Sequence, residues 1–374
     1  LDEFNLGHYS VGDQKYVYKV QALVAASQRN IYPVWNFHDE VFGKVNWQQP
    51  NNIDLRHIYG MRARQLRERY DYLTLHFSGG ADSTNALKSF IDNNIKLDEV
   101  CVRWPIRAAK DFYNANTEDK SAANILSEWD YAIVPMLDHL KIHHPDVKIT
   151  VLDWSDEIEN LDTFPDELIE NIANEFLNFG VFIKHLQRTS EEKNRFDNGL
   201  NSASIFALDK CRVIKKDGNA YVHFLDILCH SGGSQKNKNI EPFYWTPHLP
   251  EIVLEQAHVV YNFFKMNPHL QDLMLFESFK IPEKQKIYEK IIKSLIYPDY
   301  DLSIFQAEKP RDMIYNECDA WMFKKYKNQR LIDSWEWSIK NALKAIDPKY
   351  IRYEGNTPKG FVGFISPFYK IGTF

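Results

Sequence analysis

Residues Leu73 to Leu87 constrain this chain more than any other stretch. Leu73, Leu75 and Phe77 alternate as in a strand, Gly79 and Gly80 then break it, and Leu87, Phe90 and Ile91 resume at helical spacing. A strand, a glycine turn and a helix start, in that order, make an anion site. Glycine lets the backbone turn sharply and approach a phosphate with no Cβ in the way, while the free N–H groups of the first helical turn point at it. Ser78, Ser83 and Thr84 add hydroxyl donors, and Asp82 adds a carboxylate. A carboxylate beside a polyphosphate requires a cation between them, so Mg²⁺ is implied, with Asp82 as its ligand. The Walker A pattern is absent, because neither Gly-Lys-Ser nor Gly-Lys-Thr occurs.

With 374 residues, 44% of them hydrophobic and 14% aromatic, the chain can bury a large core. One α/β domain with substantial additions is expected. A formal charge of −6 provides no global basic field, so nucleic acid is not favoured as a partner, although a local patch stays open. No apolar run approaches the roughly 18 residues that span a bilayer, and no basic-then-apolar leader is visible. The expected setting is cytoplasmic, without membrane contact. Cys101, Cys211, Cys229 and Cys318 are far apart and form no Cys-x-x-Cys pair, which argues against structural zinc, iron–sulfur ligation and a redox dithiol. Reduced, packed thiols are expected instead.

Before the loop, Tyr16 to Ser27 suggests a short helix and Tyr32 to Phe37, with Pro33 inside it, an edge strand or loop. Ile53 to Tyr70 reads as a helix that Asn52 can cap. Leu55, Ile58, Tyr59 and Leu66 mark its apolar stripe; Arg56, Arg62, Arg64, Arg67 and Arg69 around it invite a phosphate role, but a solvated face accounts for most of them. After the loop helix, Asp98 to Trp104 is a second strand reached by a crossover that suits a parallel pair. A helical stretch follows from Glu118 to His143, interrupted near Pro135, and then a third strand from Val147 to Trp154. A helix from about Pro165 to Gln187 is expected next.

Ser204 to Ile214 is the second informative stretch: an apolar strand ends at Asp209-Lys210. A hairpin signal then appears, Arg212 to Lys216 and Asn219 to Asp226 flanking Asp217-Gly218. Ser231 to Ser234, surrounded by Lys236 and Lys238, reads as a surface loop or lid. From Glu241 the chain is mainly helical, with helices from Glu251 to Lys265, Pro282 to Leu295 and Arg311 to Ile346. Glu255 and His258 make a single Glu-x-x-His step, read as a satisfied pair because two copies are needed for a dinuclear site. The tail from Gly360 to Tyr369 is apolar enough to dock on the body or on a second copy of the chain.

Ser78-Gly79-Gly80-Ala81-Asp82-Ser83 resembles the Ser-Gly-Gly-x-Asp-Ser loop of the PP-loop ATP pyrophosphatases, the adenine nucleotide alpha-hydrolase superfamily. The resemblance is specific at these six positions and extends in topology from about 70 to 230. It implies a doubly wound parallel sheet with ATP at the C-terminal strand ends, an N-terminal extension over residues 1–70, the nucleotide-binding domain over 71–230 and a mainly helical region over 241–374. It implies that Ser78, Gly79, Gly80, Ser83 and Thr84 hold phosphates, that Asp82 holds Mg²⁺, and that Val102 and Arg103 lie where the family's backbone receives adenine. A cation from a later strand end neutralises the leaving pyrophosphate in the family. Lys210 is the first choice for that role and Arg212 the second, because charge accumulates on the β phosphate as its bond to the α phosphate breaks.

The activity so implied is that of an ATP-dependent ligase resembling amidotransferases. It cleaves ATP to AMP and pyrophosphate, adenylates a small-molecule carboxylate or amide acceptor, and passes the activated group to ammonia or an amine. Cysteine pairs, a zinc cluster and a catalytic cysteine motif, which mark the sulfur-inserting, 7-cyano-7-deazaguanine and sulfonucleotide branches, are missing. A glutaminase half is not evident either. A sulfonucleotide-reductase-like enzyme and a non-catalytic adenine-nucleotide-binding assembly or virion-associated protein are the alternatives. Uncharacterised bacteriophage-encoded members are the nearest likeness, which would place the chain in a host cytoplasm.

Overall fold

The computed structural model describes residues 7–17, 19–104, 106–107, 110–111, 128–153, 155, 195, 198–207, 212–226, 240–301, 351–354, 357–361 and 364–374. The chain opens with β1 (His8–Val11), β2 (Gln14–Tyr16), helix α1 (Lys19–Arg29) and β3 (Val34–Asn36). The strands form a small antiparallel sheet in the order β2-β1-β3. The Pro33 segment is thus an edge strand, as its composition suggests. The helix expected from Tyr16 starts only at Lys19, because the Gln14–Tyr16 segment pairs with β1. A short helix α2 (Asp39–Phe42) follows.

Helix α3 (Leu55–Arg69) is capped by Asp54, whose carboxylate accepts the His57 N–H at 3.1 Å. Asn52, expected as the cap, instead adopts a left-handed conformation with φ 57°. Three of the five arginines of α3, Arg56, Arg64 and Arg69, are exposed, as expected for most of them. Arg62 is fully buried and Arg67 pairs with Asp98 at 2.6 Å, because the charges that complement them lie inside the fold.

The central sheet contains β4 (Tyr72–His76), β5 (Glu99–Trp104), β6 (Lys148–Asp153), β7 (Ser202–Phe206) and β10 (Ile240–Pro242). All pairings are parallel and the spatial order is β10-β7-β4-β5-β6. Helix α4 (Ala81–Ile91) makes the crossover from β4 to β5. Helix α5 (Val134–His143) follows a π-helical turn at Trp129–Ile133 and leads to β6. The expected interruption near Pro135 appears as the change from π-helix to α-helix between Ile133 and Val134, with Pro135 in the first turn of α5. Leu73, Leu75, Val100, Val102, Ala203 and Ile205 share one fully buried face of the sheet, as the pairing registers require. The opposite face is polar. Glu99, 1% exposed, accepts from the hydroxyls of Tyr72 and Thr150 and pairs with Arg195 at 3.0 Å.

The hairpin expected around Asp217-Gly218 is present as β8 (Arg212–Lys216) and β9 (Asn219–His223). Asp217 and Gly218 both have positive φ, 48° and 71°, the two-residue turn whose twist matches that of the strands. The C-terminal strand β13 (Tyr369–Thr373) adds to β9, and Phe364 packs edge-on against Tyr9, so the tail docks on its own chain. Two further strands, β11 (Ile351–Glu354) and β12 (Thr357–Phe361), pair with each other. Helices α6 (Glu251–Met266) and α7 (Pro282–Ile296) pack together, and α6 also packs on α3, β8 and β13. Residues from the small sheet, the central sheet, the hairpin with β13, and the helices join one apolar core, in which Phe37, Phe42, Phe224 and Trp245 pack the small sheet, the hairpin and the end of β10 together. Among the described residues no helix is long and apolar enough to cross a membrane. The expected helices at 165–187 and 311–346 and the loop at 231–234, with Lys236 and Lys238, lie outside the described residues.

His223 is 1% exposed, and neither ring nitrogen has a hydrogen-bond partner among the described residues. Burial, reinforced by the neighbouring Arg212 charge, pushes its pKa down to about 3. An unfolded histidine takes up its proton near pH 6.5, so below that pH the unfolded chain binds a proton that the native chain refuses. Stability therefore falls on acidification from about pH 6.5, by about 2 kcal/mol at pH 5. In His223→Leu this acid sensitivity should disappear, which urea denaturation midpoints at pH 7 and pH 5 would reveal.

Candidate functional site

Read in chain order, the strands of the central sheet lie as third, second, first, fourth, fifth. The order reverses between β4 and β7, and doubly wound sheets bind ligands at such a reversal, outside the carboxyl ends of the strands. Ser78 to Ser83 follows β4 directly and begins α4, so the loop singled out by its residues occupies that position.

The loop's conformation depends on its glycines. Gly79 has φ 76°, and a Cβ there would lie 2.5 Å from Ile133 Cγ1 and 3.4 Å from the Glu128 carbonyl oxygen. Only a residue without a side chain fits beneath the π-helical turn. Gly80 is the N-cap of α4 and offers no side chain to the first-turn N–H groups, which leaves them for an anion. Ser83 Oγ accepts from the Ser78 N–H at 3.2 Å and donates to the Gly80 carbonyl at 3.0 Å, tying the loop across its mouth. Ser78 Oγ lies 3.2 Å from Ser83 Oγ. Thr84 is joined to the loop through its N–H, which donates to Gly80 at 3.0 Å. These residues, brought together as expected, fit a phosphate group.

Asp82 is 22% exposed in the first turn of α4, and three groups from the C-terminal half of the chain meet it. The Tyr297 hydroxyl donates to Oδ1, Lys293 Nζ lies 3.9 Å from Oδ2, and the Tyr244 hydroxyl donates to the Asp82 carbonyl at 2.8 Å. Asn85 in turn donates to the Tyr244 hydroxyl at 2.9 Å. Burial raises the pKa of Tyr244, with Tyr59 and Asp82 adding to it. It raises that of Tyr297 likewise, with the Asp82 charge as the next cause. Both phenols therefore stay protonated donors. Two carboxylate oxygens carry about four acceptor positions, more than the Tyr297 bond uses. Among the described residues no group of three or more His, Cys, Asp or Glu side chains could hold a metal alone.

The remaining candidates are distributed differently. Val102 is fully buried within the ladder, in register with Val151, while Arg103 is partly exposed at the C-terminal end of β5. Arg212 lies 3.8 Å from Glu289 of α7, its guanidinium over the Phe279 ring. Lys210 lies outside the described residues. Asp153, at the end of β6, accepts the N–H groups of Ile106, Arg107 and Ser155 and so caps a neighbouring segment. Glu255 and His258 are satisfied as read, by the Asn51 N–H at 2.7 Å and the Trp47 carbonyl at 2.8 Å.

Residue reasoning missed Glu128, Tyr244, Lys293 and Tyr297. Glu128 Oε1 lies 3.8 Å from the position a Gly80 Cβ would take, so the π-helical turn brings a second carboxylate to the loop. No spacing in the chain announces these contacts, since Lys293 and Tyr297 are more than 200 residues from Asp82 and only folding sets them beside it. No protein-family model matches the chain, and no curated protein matches it in sequence.

Proposed function

We propose that this chain is an ATP-dependent ligase that cleaves ATP to AMP and pyrophosphate in order to adenylate a carboxylate or amide acceptor. The reading rests on one observation: a Ser-Gly-Gly-x-Asp-Ser loop opens a helix at the point where the order of a parallel sheet reverses. In this reading the first-turn N–H groups, Ser78 and Ser83 hold the β and γ phosphates, and Asp82 with the triphosphate holds Mg²⁺. Bound magnesium supplies neutralisation of charge on the phosphate oxygens. Tyr244 and Tyr297 orient Asp82 by gripping its carbonyl and its carboxylate.

Incubation with Mg-ATP and candidate acceptors, scored for AMP and pyrophosphate, tests this. The wild-type chain should release both with a productive acceptor, and Asp82→Asn should slow release by roughly 10²-fold, in line with loss of one preorganised electrostatic group. ADP as the product would sink the reading. A second reading, a nucleotide-binding module without catalysis, draws on the engagement of Asp82 by Lys293 and Tyr297. ATP that binds yet stays intact with every acceptor would favour it.

A further inference from the structure

Glu289, Lys293 and Tyr297 recur every four residues along α7 and its C-cap, and therefore share one face of the helix. That face meets both polar elements discussed above. Glu289 takes Arg212 of the hairpin, and Lys293 and Tyr297 take Asp82 of the loop.

Lys293 is the unusual member. Its side chain is only 15% exposed. An ammonium carries three donors. Among the described residues the Lys293 ammonium makes no hydrogen bond, and its ion pair with Asp82, at 3.9 Å, is too long to be one. A partly buried cation without a close acceptor is costly unless something else supplies one. Asp82 sits in the first turn of α4, so the Lys293 ammonium stands beside the same N–H groups that favour an anion.

Resting on the nucleotide reading, we propose that Lys293 is the cation that meets the phosphate oxygens over the 78–83 loop. Without nucleotide, Asp82 and Lys293 loosely neutralise each other. With Mg-ATP each exchanges its partner, Asp82 turning to the metal and Lys293 to phosphate oxygen, and no charge is left unpaired. Tyr297, whose hydroxyl stays on Asp82, is the positioning residue that keeps the carboxylate in place during the exchange. A neutralising cation is thus supplied by α7, whether or not the segment around Lys210 adds another.

Calorimetric titration of the full chain with magnesium pyrophosphate and with Mg-ATP tests the assignment. Lys293→Met keeps the aliphatic stem and should weaken both ligands at least tenfold. Lys293→Arg should restore most of the affinity, and Lys290→Met, which removes an exposed charge from the same helix, should change it less than twofold. Thermal melting of each variant identifies any loss of folding, and should Lys293→Met melt early, Lys293→Arg against wild type carries the comparison through the salt dependence of binding, expected to be unchanged. Wild-type affinity in Lys293→Met would overturn the role of Lys293 and leave the nucleotide reading standing. Failure of the wild-type chain to bind either ligand would remove both together.

Discussion

Glu241→Ala and Arg62→Met should each destabilise the fold by about 3–5 kcal/mol, because each leaves the opposite charge buried without its partner. Arg62 is fully buried. Its guanidinium donates to Glu241 at 2.8 Å, to the Pro242 carbonyl at 2.7 Å and to the Phe243 carbonyl at 3.3 Å. Glu241, 1% exposed on β10, also accepts the Tyr70 hydroxyl at 2.5 Å and pairs with Arg69 at 3.2 Å. The cluster joins α3 to the last strand of the sheet, so its loss should loosen the β10 edge first. The double variant Arg62→Met/Glu241→Leu should cost less than the sum of the single changes, since no lone charge remains. Equilibrium denaturation of the three variants checks this.

The same cluster predicts a pH response. Burial pushes the Glu241 carboxyl up, but Arg62, the Tyr70 hydroxyl and Arg69 together outweigh it and hold the pKa below the ordinary glutamate range. The stabilisation is therefore complete above the unfolded glutamate value and is lost as the pH falls through the lowered native one. This window opens below the pH at which the His223 effect begins, and the two contributions separate in an acid titration of the His223→Leu variant.

Gly79→Val should lower stability by roughly 2–5 kcal/mol and abolish phosphate binding. About 1–2 kcal/mol of this comes from forcing a β-branched residue into a positive-φ conformation and about 1–3 kcal/mol from the collision with Ile133. The second contribution has a definite source, since a Cβ at this position falls 2.5 Å from Ile133 Cγ1. Gly80→Ala provides the contrast. Its φ is −72° and a Cβ there first meets Ser78 Oγ at 3.4 Å, an ordinary contact, so its cost should stay within about 1 kcal/mol. Melting temperatures with and without pyrophosphate distinguish the outcomes. Equal tolerance at both glycines would show that the loop does not need its left-handed turn.

Local features of the chain were legible without coordinates wherever neighbours in sequence decide the geometry. The loop at 73–87, the Asp217-Gly218 turn and the docking tail are of this kind, because alternation, glycine placement and chain continuity act over a few residues. Val147 to Trp154 was read as a strand to within a residue at either end for the same reason. Arg56, Arg64 and Arg69 of α3 are exposed as the pattern of the helix suggests, but what decides whether Arg62 is solvated is Glu241, 179 residues away. The cap of the same helix was misplaced by two residues, since Asn and Asp both suit the position and only the backbone path chooses between Asn52 and Asp54.

For the candidate site the division is sharper. Short-range order alone determines a strand, two glycines and a helix start, and so an anion cradle with Asp82 at its rim. Only the tertiary structure decides what surrounds it: the sheet order that puts the loop at a reversal, the π-helical turn whose Ile133 demands Gly79, and the face of α7 that brings Lys293 and Tyr297 to Asp82. Contacts across such separations leave no periodic mark on the chain, because they are chosen by packing and charge pairing after the local elements have formed.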